Sequence, residues 1–187
     1  QMCIRDRSGN QASSWFFSYG TALLSRVSLS RVEHHTFRPS PPTMNKGYTL
    51  GRIAWQAGTG ESVLVDIVSV HLDFSRRHVR EQQAAELGEA LAGRGNPMIV
   101  MGDFNSDWSA DEQVIRALAG RTGLHVYQPE SGSLGTYRSG SRRFDWILIS
   151  KQLEFVSFEV LPDILSDHAA VVAEIAMKPP AKTGNAM

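Results

Sequence analysis

Five short stretches place side chains suited to chemistry at the ends of apolar runs. Ser69-Val70-His71-Leu72-Asp73 closes the run Val65 to Val70 with a histidine. Gly102-Asp103-Phe104-Asn105 follows the apolar Pro97 to Met101. In extended backbone, residues two apart point the same way, so Asp103 and Asn105 are expected side by side while Phe104 anchors into the core. Such a pair can bind a hard cation through oxygen, or take a proton from water while giving a hydrogen bond to phosphate. An Asx turn capping the next loop is the other reading. Gly102 removes side-chain bulk where a ligand or a neighbouring strand comes close. Asp145 stands directly before Trp146 to Ile149. It has two possible uses: a weak surface ion pair with Arg142 or Arg143, or acceptance of a hydrogen bond that fixes a histidine tautomer. Ser166-Asp167-His168 opens an apolar stretch, where a carboxylate beside an imidazole can divide metal binding from the handling of water or phosphate. Thr136-Tyr137-Arg138, with Arg142 and Arg143, makes a small basic rim able to hold a phosphate.

The elements that position these residues follow from periodicity. Thr21 to Ser25 and Val32 to Phe37 read as strands, with a Pro-rich turn over Arg38 to Thr43. Leu50 to Ala57 and Ser62 to His71 are extended runs joined by Gly58-Thr59-Gly60-Glu61, the pattern of a hairpin. The second run is nearly continuously apolar, as a strand covered on both faces must be. From Ser75 the period changes. Val79, Ala84, Leu87, Ala90 and Leu91 fall at helical spacing, which predicts an amphipathic helix capped by Ser75 and ended at Gly93 and Gly95. Pro97 to Met101 reads as a buried strand, and Ser109 to Leu118 as a helix with Ser109 at its N-cap and Asp111 and Glu112 in its first turn. Trp146 to Ile149, Leu153 to Val160 and Ala169 to Ile175 are further strands. Hairpin-joined strands with a few helices point to a layered α/β sandwich of mixed sheets.

Composition narrows the partners. The 187 residues carry 19 Lys plus Arg against 19 Asp plus Glu. Zero net charge does not suit a protein that grips long nucleic acid or an anionic membrane mainly through a basic face. Arg76, Arg77 and Arg80, interleaved with Asp73, Glu81 and Glu86, read as a solvated helix face. The single cysteine, Cys3, excludes an intramolecular disulfide and a multi-thiolate metal site. No run reaches the roughly 18–20 apolar residues of a transmembrane segment. A monomer is expected, with the cytoplasm as its compartment. Residues 1–14 read as a foreign or disordered leader, 15–177 as one domain, and 178–187 (KPPAKTGNAM) as a disordered tail.

In order, GTALLSR (Gly20 to Arg26), SVHLD, MGDFN, RFDWILIS (Arg143 to Ser150) and LSDHAAVV (Leu165 to Val172) resemble the endonuclease/exonuclease/phosphatase superfamily of DNase I-like proteins. Each piece alone is weak, and the specificity lies in their order and spacing. The resemblance implies a four-layer α/β/β/α sandwich of two mixed sheets, a site at one end of the facing sheets, and Mg2+ or Mn2+ as cofactor. It implies that His71 contacts the scissile phosphate or assists the leaving group. Asp103 orients or deprotonates the attacking water, and Asn105 hydrogen-bonds a phosphate oxygen. Asp145 is the partner of His168, which acts on water and phosphate. Asp167 is a metal ligand, joined in two-metal accounts by Asp103 and Asn105.

The implied reaction is in-line attack of water on a phosphoester. The substrate is left open among a small phosphodiester, a phospholipid head group and nucleic acid. Members of the superfamily also carry an asparagine strand and a metal-binding glutamate well upstream of the position of Gly20. Here 19 residues precede Gly20, none of them a glutamate, and Glu33 falls after the GTALLSR strand. The chain is therefore expected to lack the first strands, a helix and the main metal ligand of its sandwich, with weakened metal binding. The competing reading is a non-catalytic binding scaffold or inactive fragment of the same fold.

Overall fold

The computed structural model describes residues 5–14, 17–56, 60–109, 113–138, 140, 142–163 and 166–179. Its centre is a six-stranded mixed sheet. β3 (Ser30–Thr36), β4 (Gly47–Gln56), β5 (Ser62–His71), β6 (Met98–Asp103), β8 (Asp145–Ser150) and β7 (Leu124–Val126) lie in the order β3-β4-β5-β6-β8-β7. β4 and β5 form the expected antiparallel hairpin, and β5 and β6 are parallel. Parallel neighbours need a crossover, which α1 (Arg77–Leu91) supplies.

Alternation along the strands sends residues to two faces. On one face Leu50, Val68, Val70, Val100 and Leu148 meet Leu87 and Leu91 of α1 and Ile115 and Leu118 of α2 (Val114–Thr122). On the other, Val65, Ile99, Ile147 and Ile149 meet Phe155, Phe158, Val171 and Ile175 of the antiparallel pair β9 (Leu153–Val160) and β10 (Val171–Met177). A second antiparallel pair, β1 (Arg5–Ser14) and β2 (Phe17–Ser25), borders β4 and β5 on this same face, where Leu23 and Leu29 crowd Gly51. The result is a layered α/β sandwich in which three of the four expected layers are seen among the described residues: helices, large sheet and smaller strand pairs. Among the described residues no helix covers the outer side of the smaller pairs, and none is long and apolar enough to cross a membrane.

Several sequence-based expectations need correction. Residues 5–14, read as leader, form β1 in continuous register with β2. No apolar alternation marks this segment, so its pairing has no local signal. α1 starts at Arg77 with no side-chain cap from Ser75. The Asp73 carboxylate instead accepts the Ser75 and Arg76 N–H groups at 2.8 and 2.9 Å. α2 begins five residues later than Ser109 and ends on left-handed Gly123, and Asp111 and Glu112 lie outside the described residues. The short β7 was not anticipated, since three residues carry no period. Gly58 and Thr59 of the hairpin loop, and 180–187 of the expected tail, also lie outside the described residues. Of the arginines after Asp73, Arg77 is exposed and pairs with exposed Glu81, as a solvated face would, whereas Arg80 is buried and Arg76 donates to the Ser40 carbonyl.

Candidate active site

Strand register assembles the site. His71 ends β5, Asp103 ends β6 and Asp145 begins β8; the ladder pairs His71 with Asp103 and Asp103 with Asp145. Partners in a ladder share a face, so residues separated by 32 and 42 positions in the sequence stand in one row at the edge of the inter-sheet layer. Gly102 makes the row possible. Its φ is +144°, and a Cβ there would lie 2.0 Å from the Val70 carbonyl oxygen, so only glycine allows β6 to approach β5 here. This is the close approach expected from the sequence.

Asp103 and Asn105 do stand together, though not through extended backbone. Asn105 has φ +49°. Its N–H donates to Asp103 Oδ1 at 2.8 Å, and its side-chain amide donates to Asp103 Oδ2 at 3.0 Å and to the Leu72 carbonyl at 3.1 Å. The Asx turn and the paired polar side chains are thus the same feature, and Phe104 is fully buried beneath it. Burial, reinforced by the charge of Asp145, pushes the Asp103 carboxyl up to about 6.

His168 arrives from the segment before β10 and is held by a bridge to Tyr137. Its Nδ1–H donates to Asp145 Oδ2 at 2.7 Å, leaving Nε2 facing Asp103 Oδ2 at 4.0 Å. Burial alone lowers the His168 pKa, but the hydrogen bond and charge of Asp145, with Asp103 and Asp167, outweigh it and hold the imidazole above its ordinary value. Of the two readings of Asp145, the histidine partner is the one seen. Thr136 fixes the same carboxylate, donating to Oδ2 at 2.6 Å while accepting the N–H groups of Phe144 and Asp145. Arg143 turns away from Asp145 and is buried, donating to the Tyr127 and Gln128 carbonyls and stacking on Trp146.

Lys46 and Tyr19 were not singled out by the sequence. Lys46 is 3% exposed, and its Nζ donates to His71 Nε2 at 3.0 Å and to the Tyr19 hydroxyl. His71 Nδ1–H donates in turn to Tyr19 at 3.1 Å. Burial, with the charges of Lys46 and His168, lowers His71 to about 3, so this histidine is neutral. Burial likewise lowers Lys46, partly offset by Asp103 and Asp73, and raises Tyr19 to about 12. A lysine before a glycine in a turn carries no local signal; only the fold carries it to the end of β5.

These residues line an open cleft of about 740 Å³, together with Pro42, Met44, Phe74, Tyr137, Arg142, Phe144 and Asp167. Every sequence-predicted site residue reaches it except Asp145, which stands behind His168. Of the expected basic rim, Arg142 and Tyr137 line the cleft among the described residues, and Arg138 and Arg143 do not. Carboxylate oxygens of Asp103 and Asp145 and a ring nitrogen of His168 lie within 4.8 Å of one another, a group able to hold a metal ion. It shares Asp103 with the expected ligand set. Asp167 is exposed at the cleft mouth and, among the described residues, lies outside this group.

Residues 12–168 match the model of the Endonuclease/Exonuclease/phosphatase family. No curated protein sequence matches. Among solved structures, a functionally unknown conserved protein from Enterococcus faecalis V583 superposes with a TM-score of 0.76 at 19% identity, over 94% of this chain and 77% of that one. The human Nocturnin catalytic domain gives 0.73 at 18%, over 94% and 73%. A mannosyl-6-phosphatase from Bacteroides thetaiotaomicron gives 0.72 at 16%, over 93% and 77%. At these identities the likeness is one of fold.

Proposed function

Because the chain belongs to the endonuclease/exonuclease/phosphatase family, we propose that it is a phosphoesterase dependent on Mg2+ or Mn2+, hydrolysing a small phosphoester by in-line attack of water. The carrying observation is the row His71, Asp103, Asp145 in direct ladder register, closed by the 2.7 Å bond from His168 to Asp145. A scaffold has no need of four ionisable groups converging at one sheet edge.

The donor set suits a hard cation. Two carboxylates converge, and burial together with the charge of Asp145 raises the Asp103 pKa, which a bound cation would relieve. Asp103 would hold the ion at the cleft floor, with Asp167 facing it from the cleft mouth. When bound, such an ion neutralises charge developing on the phosphoryl oxygens. The chain's own groups do the rest. Lys46, fixed between His71 and Tyr19, supplies a buried positive charge to a phosphoryl oxygen. His71, kept neutral, accepts from Lys46 at Nε2 and donates Nδ1–H to Tyr19, and so fixes the direction of the lysine. Asn105 orients Asp103, which takes the proton from the attacking water. Asp145 holds His168 with Nε2 toward the phosphate, as a carboxylate orients imidazole in other hydrolytic sites.

Turnover of bis(4-nitrophenyl) phosphate and 4-nitrophenyl phosphate, with Mg2+ or Mn2+ and with EDTA, tests this reading. Activity is expected only with metal, and Asp103→Asn and His168→Ala are each expected to lower kcat by about 100-fold or more. Hydrolysis that persists in EDTA, or that neither substitution reduces, would sink it.

A further inference from the structure

The cleft has a polar floor and one apolar wall, and that wall is exposed yet rigidly held. Phe74 is 62% and Met44 48% exposed, with Pro42 beside them. Large apolar groups left in water at a cleft mouth forgo burial energy and are characteristic of binding surfaces. Nothing local leaves Phe74 free to fold inward. The Asp73 carboxylate before it accepts the N–H groups of Ser75 and Arg76 after it. The same carboxylate accepts the Ser40 and Thr43 hydroxyls at 2.9 and 2.7 Å. One buried group therefore locks both segments of the wall, Ser40–Met44 and Asp73–Arg76, in place.

The wall's position relative to the chemistry is also fixed. Lys46 Nζ lies 3.0 Å from His71 Nε2 and 5.5 Å from the Phe74 ring centroid. A phosphoryl group held by Lys46 is therefore placed beside the Phe74 ring. On the far side of Asp103, Arg142 and Phe144 border the cleft just ahead of β8.

Resting on the phosphoesterase reading above, we propose that Phe74, supported by Met44, determines specificity for a phosphoester carrying a planar aromatic ring of nucleobase type, which stacks on the Phe74 ring while its phosphate meets Lys46. A flat ring is favoured over an acyl chain because the wall is a single aromatic ring that already faces a cation, Lys46 Nζ over the ring at 5.5 Å, and not an extended apolar channel. Zero net charge and, among the described residues, a single arginine lining the cleft fit a mononucleotide-sized ligand better than a long polyanion.

Titration calorimetry of the full chain in EDTA, with adenosine 5′-monophosphate, ribose 5-phosphate and inorganic phosphate as probes, tests the proposal. The base-bearing ligand is expected to bind about 5- to 100-fold tighter than ribose 5-phosphate. Phe74→Ala is expected to bring that ratio to about one, and Phe74→Trp to preserve it. A ratio of one in the unaltered chain, or a ratio untouched by Phe74→Ala, overturns the proposal while leaving the phosphate site standing. No binding of any of the three probes overturns the phosphate site as well. If the ratio is one and Phe74→Ala instead abolishes co-sedimentation with phosphatidylcholine vesicles, the wall serves a lipid surface and the proposal fails.

Discussion

At the scale of single residues, Lys46 is the least conventional member of the site, a buried cation whose neighbours are a neutral histidine, a tyrosine and a carboxylate of raised pKa. Burying a charge costs several kcal/mol unless it is compensated, about what a catalytic electrostatic contact returns. Lys46→Met is therefore expected to leave the melting temperature unchanged or raised and to lower kcat/KM by about 100-fold. A large fall in melting temperature, read by circular dichroism, would make the lysine structural instead. Asp145 and His168 act as one unit through their 2.7 Å bond. Asp145→Asn and His168→Ala should each cost most of the rate, and the double variant little more than the worse single one. Full additivity in kcat would show that the pair is not coupled.

At the scale of elements, the β5–β6 contact and the turn at Asp73 position everything. Gly102→Ala places a methyl carbon against the Val70 carbonyl in a backbone region that favours glycine. The expected loss is about 3 kcal/mol or more, measured as a shift in the urea midpoint, and the surviving fold should lose the alignment of His71 with Asp103. Asp73 carries the helix start and the Pro-rich turn together. Asp73→Ala is expected to destabilise by at least about 2 kcal/mol, and to raise protease cleavage within residues 38–46 before global unfolding.

At the scale of the whole molecule, buried ionisable groups set the response to acid. Burial alone raises Asp66 and Asp73, but the bonds of Asp66 to Arg52 and Arg94, and of Asp73 to Thr43, the Arg76 N–H, Ser40 and the Ser75 N–H, outweigh it and hold both below the ordinary value. Their stabilisation is present above about pH 4 and is lost as pH falls through their lowered pKa values. His71, neutral in the fold down to about 3, protonates in the unfolded chain near 6.5, so its contribution declines from about pH 6.5 downward. Asp103, pushed up to about 6, works the other way and offsets part of that decline between about pH 6 and 4. In EDTA the melting temperature is expected to fall modestly from pH 7 to 4.5 and steeply below 4. A melting temperature that rises continuously toward pH 3 would contradict these assignments.

The sequence by itself determined the residue types and the strand mouths: His71, Asp103 with Asn105, Asp145 and His168 were legible because apolar runs of fixed period end at them. The central strands were legible for the same reason. Where period is absent, the sequence was silent or wrong: β1 and β7 carry no alternation, and the turn before α1 is held by Asp73, while the serine that fits the local cap pattern caps nothing. Tertiary structure alone decided the row that makes the site, since cross-strand register depends on pairing between segments far apart in the chain. It alone recruited Lys46, Tyr19 and Phe74, whose roles arise from what the fold brings beside them. Local pattern encodes which way a side chain points; only long-range packing decides what it points at.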